Sequence, residues 1–403
     1  MKYILILGDG MADRPVPQLG GKTPLQYANI PHIHALAKNG QVGLVKTIPD
    51  NISPGSDVAN LSVMGYDPTV YYTGRSPLEA VSIGIDLAES DITFRCNLVT
   101  LSDDEAFEHK TMVDYSADEI STPEAQLLVC AIKQAFDNEV MCYYKGISYR
   151  HCLVWQNGSL NITLTPPHDI SDQPILNYLP KGEGQQALLD MMKKSHDLLK
   201  NHPVNLARIA LGLRPANAIW LWGQGSKPTL PSFYEKFGMH GVMISAVDLL
   251  KGIGIAAGLK NIDVPGATGN IHTNFKGKAQ AVIDALKQGA DFVYLHMEAP
   301  DECGHRGEIQ NKVKSIELID QEVVAFLKPQ LDKMNEPYKI LFLPDHATPL
   351  CTRTHSSEPV PFLIYESASE KAPCNLSYTE EDAQKSTLYF DKGHLLINYF
   401  LSN

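Results

Sequence analysis

The chain has 403 residues, of which 44% are hydrophobic and 20% are charged, so it can bury a sizeable core and is neither a disordered nor a fibrous protein. Its 34 lysines and arginines stand against 46 aspartates and glutamates, and the formal net charge of -12 at pH 7 argues against broad nucleic-acid binding or a basic membrane-surface role. An anionic substrate must therefore be attracted by local cations or by metal ions.

The chain carries features of a cytoplasmic protein. Its seven cysteines are scattered and never form a CxxC pair, which indicates reduced thiols. At the N-terminus only Tyr3–Leu7 is continuously apolar, which is too short for a signal sequence or for a membrane span of about 20 residues. We therefore expect a cytoplasmic protein without a membrane partner.

Apolar runs alternate with helical patterns in two regions of the chain. The first run, Tyr3–Leu7, predicts a buried strand, and four later runs are separated by helical patterns that include Lys276–Gln288 and Asn311–Leu327. Such alternation is typical of a mostly parallel sheet flanked by helices. The later runs are Ala218–Trp222, Gly241–Ser245, Asp291–His296 and Lys339–Leu343.

The middle of the chain has a different pattern. Short strand-like runs surround a single helical pattern, and the proline-rich segment Pro166–Pro180 then leads into an amphipathic helix at Gln185–Lys200. We therefore predict a discontinuous α/β domain made of residues 1–100 and 185–403. A smaller α+β domain, residues 101–184, is expected to be inserted into it.

Polar clusters follow three of the predicted strands, at the point where each strand ends. Ligands of open parallel sheets bind beyond the carboxyl ends of the strands. Each residue alone is a weak signal, because an aspartate after a strand, such as Asp9, caps a turn as readily as it binds a metal ion. Together they would form a mixed oxygen and nitrogen site that suits Mn, Zn, Co or Fe better than Ca. The clustered residues are Asp9, Asp301, His305, Asp345 and His346, with His355 a few residues further on.

A candidate nucleophile lies in Pro54-Gly55-Ser56-Asp57. Ser56 precedes an apolar-periodic stretch, which predicts a helix N-terminus where backbone N–H groups favour an anion. Ser56 is either the N-cap of this helix or a nucleophile. Beside two metal ions, the same geometry would stabilise first an alkoxide and then a phosphoserine.

Phosphoryl transfer also needs cations around the moving group. Most arginines are solvated surface residues, so the sequence does not select among those in polar settings. The phosphate loop GxxxxGK[ST] does not occur, and Gly252–Ala257 matches a dinucleotide fingerprint without its framing strand or acidic partner. The candidate cations are Arg75, Arg95, Arg150, Arg208 and Lys251.

In their order along the chain, these motifs resemble the archaeal-type cofactor-independent phosphoglycerate mutase family of the alkaline phosphatase superfamily. The resemblance extends over nearly the whole chain, and the combined motifs are highly specific. It implies an alkaline-phosphatase-like α/β fold. The motifs are Gly8-Asp9-Gly10, Pro54-Gly55-Ser56-Asp57, Gly65-Tyr66-Asp67-Pro68, Tyr72-Thr73-Gly74-Arg75, Glu298-Ala299-Pro300-Asp301, Gly304-His305, Asp345-His346 and Thr354-His355.

The resemblance implies that phosphate moves between the 3- and 2-positions of glycerate in two steps, through a phosphoserine on Ser56. It also implies two divalent metal ions, for which Mn is the first expectation and Zn, Co and Mg are alternatives. One ion would be held by Asp9, Ser56, Asp345 and His346, and the other by Asp301, His305 and His355.

The expected partner is a small phosphorylated anion, with no nucleic acid and no membrane. The groups that orient it are expected among the cations named above, with a nearby acid or imidazole for proton transfer. We expect Arg75, Arg95, Arg150 and Lys251 to bind the substrate, and His168 or Asp169 to transfer protons.

Other acceptors of phosphate are compatible with the same serine and metal ions. One alternative is a homoserine kinase-like phosphotransferase that uses ATP, and another is a phosphomonoesterase of the same superfamily. A non-catalytic metal-binding protein is a third alternative. It is disfavoured because every expected ligand position carries a suitable residue.

Overall fold

The computed structural model describes residues 1–103, 106–368 and 374–402. The chain forms two compact units, one made of Met1–Tyr72 with Thr229–Asn403 and the other of Thr73–Pro228. Within the described ranges, every helix is too short or too polar to cross a lipid bilayer.

The elements are numbered in chain order. The strands are β1 (Lys2–Gly8), β2 (Gln41–Val45), β3 (Asp91–Leu101), β4 (Met112–Asp114), β5 (Met141–Tyr144), β6 (Arg150–Gln156), β7 (Ile162–Thr163), β8 (Lys181–Gly182), β9 (Ala218–Ser226), β10 (Gly241–Ile244), β11 (Lys260–Asn261), β12 (Phe292–Met297), β13 (Tyr338–Leu343), β14 (Val360–Glu366) and β15 (Tyr389–Phe390). The helices are α1 (Pro24–Tyr27), α2 (Pro31–Lys38), α3 (Ser56–Val63), α4 (Pro68–Tyr71), α5 (Arg75–Ser82), α6 (Thr122–Phe136), α7 (Gln185–Leu199), α8 (Pro203–Ala210), α9 (Phe233–Phe237), α10 (Asp248–Ala256), α11 (Phe275–Lys287), α12 (Ala299–Arg306), α13 (Ile309–Leu318), α14 (Ala325–Lys333), α15 (Glu380–Gln384) and α16 (Leu396–Leu401). A π-helical segment, Ile319–Val324, joins α13 to α14, and short 3-10 helices lie at Pro17–Leu19, Phe107–His109, Pro167–Ile170, Ile175–Tyr178 and Gly393–Leu395.

The larger sheet belongs to the first unit, and its strand order is β11-β10-β12-β1-β13-β14-β2-β15. Strands β10, β12, β1 and β13 run parallel, whereas β14 is antiparallel to both of its neighbours. The apolar run Tyr3–Leu7 of β1 is buried throughout, as expected for a strand covered on both faces. Helices α2 and α11 and the π-helical segment contribute to the apolar core packed on this sheet. The predicted mostly parallel sheet flanked by helices is confirmed.

The three central strands of this sheet end level with one another. Leu7 of β1 pairs with His296 of β12 and with Leu343 of β13. Asp9 follows directly after β1, and Asp345 follows β13 after one proline. Because parallel strands share one carboxyl edge, these loops are brought to the same place.

The second unit is the smaller α+β unit that the sequence predicts. Its main sheet is antiparallel, in the order β4-β3-β6-β5, and β9 also pairs with β3. All residues of β3 are buried, and helices α6 and α7 contribute to its apolar core. A two-stranded sheet, β7-β8, lies in the same unit.

The predicted boundaries of the insertion, 101–184, do not coincide with those of the second unit, Thr73–Pro228. The reason is the long antiparallel pairing of β3 with β9, which draws both flanking segments into this unit. The run Ala218–Trp222, expected in the parallel sheet, is therefore part of β9 in the second unit. A local apolar pattern specifies a strand, but the sheet it joins depends on long-range pairing.

A buried ion pair ties together two loops of the first unit. Lys312 Nζ lies 2.7 Å from Asp13 Oδ2 and 2.8 Å from the carbonyl oxygen of Thr348. Both charged side chains are almost fully buried, at 0% and 1% exposure. Because breaking a buried pair leaves an unpaired charge, the loops that follow β1 and β13 are held in one arrangement.

Candidate metal centre

Three predicted ligands converge on an imidazole nitrogen of a fourth, His346, in the first unit. His346 Nε2 lies 3.5 Å from Asp9 Oδ1 and 3.4 Å from Asp345 Oδ2. The same nitrogen lies 3.0 Å from Ser56 Oγ. These are the residues expected to share one ion, and all four are buried.

The remaining three predicted ligands are Asp301 and two imidazoles that lie beside it. His305 Nε2 lies 3.2 Å from Asp301 Oδ2, and His355 Nε2 lies 3.6 Å from Asp301 Oδ1. The two imidazole nitrogens are 3.0 Å apart. Ligand atoms of Asp301, His346 and His355 lie within 4.8 Å of one another, as do those of Asp9, Asp345 and His346. His346 therefore belongs to both groups, whereas the sequence assigned it to one.

Ser56 is the first residue of α3, and Gly55 occupies the N-cap position. Backbone N–H groups in the first turn of a helix have no intrahelical partner and favour an anion. The structure thus places the Ser56 hydroxyl at a helix N-terminus beside a buried imidazole, and not in the N-cap position that was its alternative role.

Hydrogen bonds to the second ring nitrogen orient two of the imidazoles. Thr348 Oγ1 donates its hydrogen to Asp301 Oδ1, so at 3.3 Å it accepts the Nδ1 hydrogen of His346. His305 Nδ1 donates to the carbonyl oxygen of Arg353 over 2.9 Å. Both imidazoles therefore direct Nε2 toward the carboxylates, and in their neutral form this nitrogen carries the lone pair that binds a metal ion.

Asn60 is a functional residue that the sequence analysis missed. Its Nδ2 donates to Asp345 Oδ2 over 2.8 Å and to the carbonyl oxygen of Ser56 over 2.7 Å, while its Oδ1 accepts from the Tyr294 hydroxyl. One buried amide thus connects the first turn of α3 to a predicted ligand. The sequence contained a signal for this contact, because positions four apart on a helix lie on one face and Asn60 is four residues after Ser56.

Burial and the charges of neighbouring carboxylates raise the pKa of two carboxyl groups. The pKa of Asp9 lies well above its usual range because of burial and then the negative charges of Asp345 and Asp301. Burial, followed by the charge of Asp301, raises the pKa of Asp345 to about 6. Without a metal ion, this pair therefore holds a proton more readily than isolated carboxyls do.

The pKa of Asp301 shifts in the opposite direction. Burial alone would raise it, but hydrogen bonds to His305 and His355 outweigh burial and hold this pKa well below its usual range. The pKa of His305 rises to about 9, because its hydrogen bond and ion pair with Asp301 outweigh its burial. Burial, and then the charge of His355, lowers the pKa of His346 to about 3, so His346 is a neutral imidazole.

The residues present fit divalent metal ions. Asp9 Oδ1 is buried and accepts no hydrogen bond from the described residues. A buried carboxylate oxygen without a partner is costly, and a cation beside it removes that cost. The donors are carboxylate oxygens and imidazole nitrogens, a set that first-row divalent ions accept.

Five of the six predicted substrate-binding residues lie in the second unit. Arg75 Nε lies 2.9 Å from Glu79 Oε1, and Arg95 Nε lies 2.8 Å from Glu79 Oε2. The Arg95 guanidinium also lies 4.3 Å from the ring centroid of Trp222. The Glu79 side chain is half-buried, and although burial raises its pKa, Arg95 and Arg75 outweigh burial and lower it.

The other candidates occupy different surroundings. Arg150 is exposed beside Tyr149, and its charge also helps to lower the pKa of Glu79. His168 and Asp169 are exposed neighbours, with 3.6 Å between His168 Nε2 and Asp169 Oδ1. Lys251 lies in the first unit, on α10, where its Nζ donates to Asp263 over 2.6 Å. The structure thus gathers the three arginines around Glu79, and Lys251 lies in the other unit.

Comparison with known proteins gives one family. A family model described as 2,3-bisphosphoglycerate-independent phosphoglycerate mutase matches residues 37–205. A Geobacter sulfurreducens protein named "Probable 2,3-bisphosphoglycerate-independent phosphoglycerate mutase" is 49% identical to this chain over 401 residues, covering 100% of each. A Methanosarcina barkeri protein with the name "2,3-bisphosphoglycerate-independent phosphoglycerate mutase" is 48% identical over 398 residues, covering 98% of each.

Two solved structures are similar over nearly their whole length. The PH0037 protein from Pyrococcus horikoshii has a TM-score of 0.80 and 29% identity, covering 99% of this chain and 96% of its own. The cofactor-independent phosphoglycerate mutase from Thermoplasma acidophilum has a TM-score of 0.65 and 26% identity, covering 100% and 99%. The two-unit fold is therefore shared by these proteins.

We expect metal binding to release protons near neutral pH. A proton on the Asp9 and Asp345 pair, and one on His305, must leave before these groups can bind an ion, so roughly one to two protons should be released. The affinity for Mn²⁺ should accordingly rise as the pH is raised through the pKa values of about 6 and about 9. Calorimetric titration in two buffers of different ionisation enthalpy measures the protons. A pH-independent affinity would contradict this assignment.

Proposed function

Because this chain belongs to the family of 2,3-bisphosphoglycerate-independent phosphoglycerate mutases, we propose that it interconverts 3-phosphoglycerate and 2-phosphoglycerate through a phosphoserine on Ser56. The observation that carries the proposal is the position of Ser56 Oγ, 3.0 Å from His346 Nε2 and at the first residue of α3. A hydroxyl held there lies among candidate metal ligands and at a helix N-terminus, which is where phosphoryl transfer to serine is favoured.

The residues of this chain divide the reaction into two transfers. Ser56 accepts the phosphoryl group from one oxygen of glycerate and returns it to the other. Backbone N–H groups of the first turn of α3 stabilise the negative charge on the phosphoryl oxygens, while Asn60 holds this turn against Asp345. Two divalent ions, when bound, supply Lewis-acid charge and favour the ionised form of the hydroxyl.

We propose the seven predicted residues as ligands of these two ions, with Mn²⁺ as the metal. His346 reaches both groups of ligands, so it lies where two ions would be close together. Three imidazoles among the donors disfavour Mg²⁺, which prefers an octahedral shell of oxygen atoms. The seven are Asp9, Ser56, Asp301, His305, Asp345, His346 and His355.

We propose that the three arginines grouped around Glu79 bind the carboxylate and phosphate groups of the substrate. A guanidinium presents paired N–H donors to such anions, and Glu79 takes the Nε hydrogen of Arg75 and of Arg95. We also propose Lys251 as a substrate-binding residue, and His168 or Asp169 as a proton-transfer group. A small phosphorylated anion is the proposed partner, and a cytoplasmic location stays a prediction.

Replacing Ser56 by Ala should abolish turnover, with a loss of about 10⁴-fold or more, because no other group can take the phosphoryl group. Ser62→Ala is the matched control, since Ser62 is also buried on α3. The assay supplies 3-phosphoglycerate alone in one reaction and homoserine with ATP in another, and the products are identified by phosphorus NMR. Phosphohomoserine as the main product, or release of inorganic phosphate alone, would instead establish one of the two alternative functions.

Chelator-treated enzyme should lose its activity and regain it best with Mn²⁺ and least with Mg²⁺. The reason is that three of the proposed ligands are imidazoles, and Mg²⁺ binds imidazole nitrogen less favourably than oxygen. Rates are compared at equal free concentrations of Mn²⁺, Co²⁺, Zn²⁺ and Mg²⁺. Full activity of the metal-free protein would refute the proposed chemistry.

Arg150→Met should raise the KM for 3-phosphoglycerate and lower kcat/KM by roughly 10- to 100-fold, the usual effect of losing one hydrogen bond to a charged group. Arg150 is exposed, so its removal should leave the fold intact. Arg214→Met, which removes another half-exposed arginine of the same unit, is the control. Equal kinetics for both variants would exclude Arg150 from substrate binding.

A further inference from the structure

A hydrogen-bonded relay outside the predicted ligands ends on Asp9. Ser245 Oγ lies 3.1 Å from His296 Nδ1, and His296 Nε2 lies 2.8 Å from Asp9 Oδ2. The three side chains are buried, and His296 is 0% exposed. Ser245 and His296 are not among the residues to which the family resemblance assigns a role.

The geometry determines which ring nitrogen of His296 carries the hydrogen. When Asp9 binds an ion its carboxylate is ionised and can only accept, so His296 Nε2 donates to Asp9 Oδ2 in that state. In a neutral imidazole the other nitrogen, Nδ1, then accepts a hydrogen, and Ser245 Oγ is the donor. The lone pairs of Ser245 Oγ remain available to the backbone N–H of Val247, at 3.0 Å.

This relay gives the two oxygens of Asp9 different roles. Oδ2 is held by His296, whereas Oδ1 has no hydrogen bond from the described residues and lies 3.5 Å from His346 Nε2. We propose that His296, with its tautomer fixed by Ser245, is a positioning residue that turns Asp9 so that Oδ1 alone binds the metal ion. The inference rests on the metal centre of the proposed function.

The effect of His296 is expected to be confined to one of the two ions. Asp345 is positioned by other groups, because it accepts hydrogen bonds from the backbone of Gly10 and from Asn60. Asp301 is held by Thr348 and by its imidazole neighbours. His296 therefore acts through Asp9 alone, and the ion bound by the Asp301 group should not depend on it.

Two amide substitutions of His296 separate positioning from packing. In His296→Gln the amide nitrogen occupies nearly the place of Nε2 and can donate to Asp9, whereas in His296→Asn it occupies the place of Nδ1 and cannot reach. Mn²⁺ binding is measured on the full-length protein by calorimetry and by electron paramagnetic resonance. His296→Asn and His296→Leu should weaken one of the two ions by about 10- to 100-fold, with the second ion unchanged and with His296→Gln near wild type.

Two further variants complete the test. Ser245→Ala, which leaves His296 in place but frees its tautomer, should weaken the same ion by a smaller factor. His151→Leu removes a buried imidazole of the second unit and should leave both affinities unchanged. Wild-type affinity in His296→Leu, equal weakening of both ions, or equal effects of Gln and Asn would overturn the inference. Failure of the wild-type protein to bind Mn²⁺ would instead overturn the proposed function itself.

Discussion

The structure of the site depends on the repulsion among three carboxylates that are buried together at the carboxyl edge of a parallel sheet. Asp9, Asp301 and Asp345 are between 0% and 5% exposed. Charges removed from water in this way are tolerated only beside cations or strong hydrogen-bond donors. Asp301 has two imidazoles as partners, whereas the pKa values of Asp9 and Asp345 are raised by burial and then by the negative charge of neighbouring carboxylates. The fold therefore builds a place that is stabilised by divalent ions.

Neutral donors limit how these carboxylates can turn. Asn60 and the backbone of Gly10 hold Asp345, His296 holds one oxygen of Asp9, and Thr348 connects Asp301 to His346. Each of these donors lacks a charge, so it orients a ligand without competing for the cation. Such outer partners reduce the reorganisation that metal binding and charge development would otherwise require. Ser56 is held by the same network, because Asn60 Nδ2 also donates a hydrogen bond to its carbonyl oxygen.

In the second unit the charges are arranged in the opposite way, with several cations around one carboxylate. There one half-buried carboxylate, Glu79, is shared by Arg75 and Arg95, and the charge of the exposed Arg150 also lowers its pKa. Burial lowers the pKa of Arg95 to about 10, so this guanidinium is still charged at neutral pH. The stacking of Arg95 on Trp222 further restricts its orientation. A cationic cluster of this kind suits a substrate with several negative groups.

The chemistry of the candidate ligands and the apolar strands that they follow can be predicted from the sequence alone, because an aspartate or histidine placed directly after a buried apolar run needs no distant partner to be recognised. Tertiary structure decided that His346 lies in both groups of candidate ligands, that Ala218–Trp222 joins the antiparallel sheet, and that Asn60 and His296 contact Asp345 and Asp9. Each of these depends on contacts between segments far apart in the chain, such as the 287 positions that separate Asp9 from His296. Local pattern carries no information about such pairings, since the same apolar run or polar side chain is compatible with many of them.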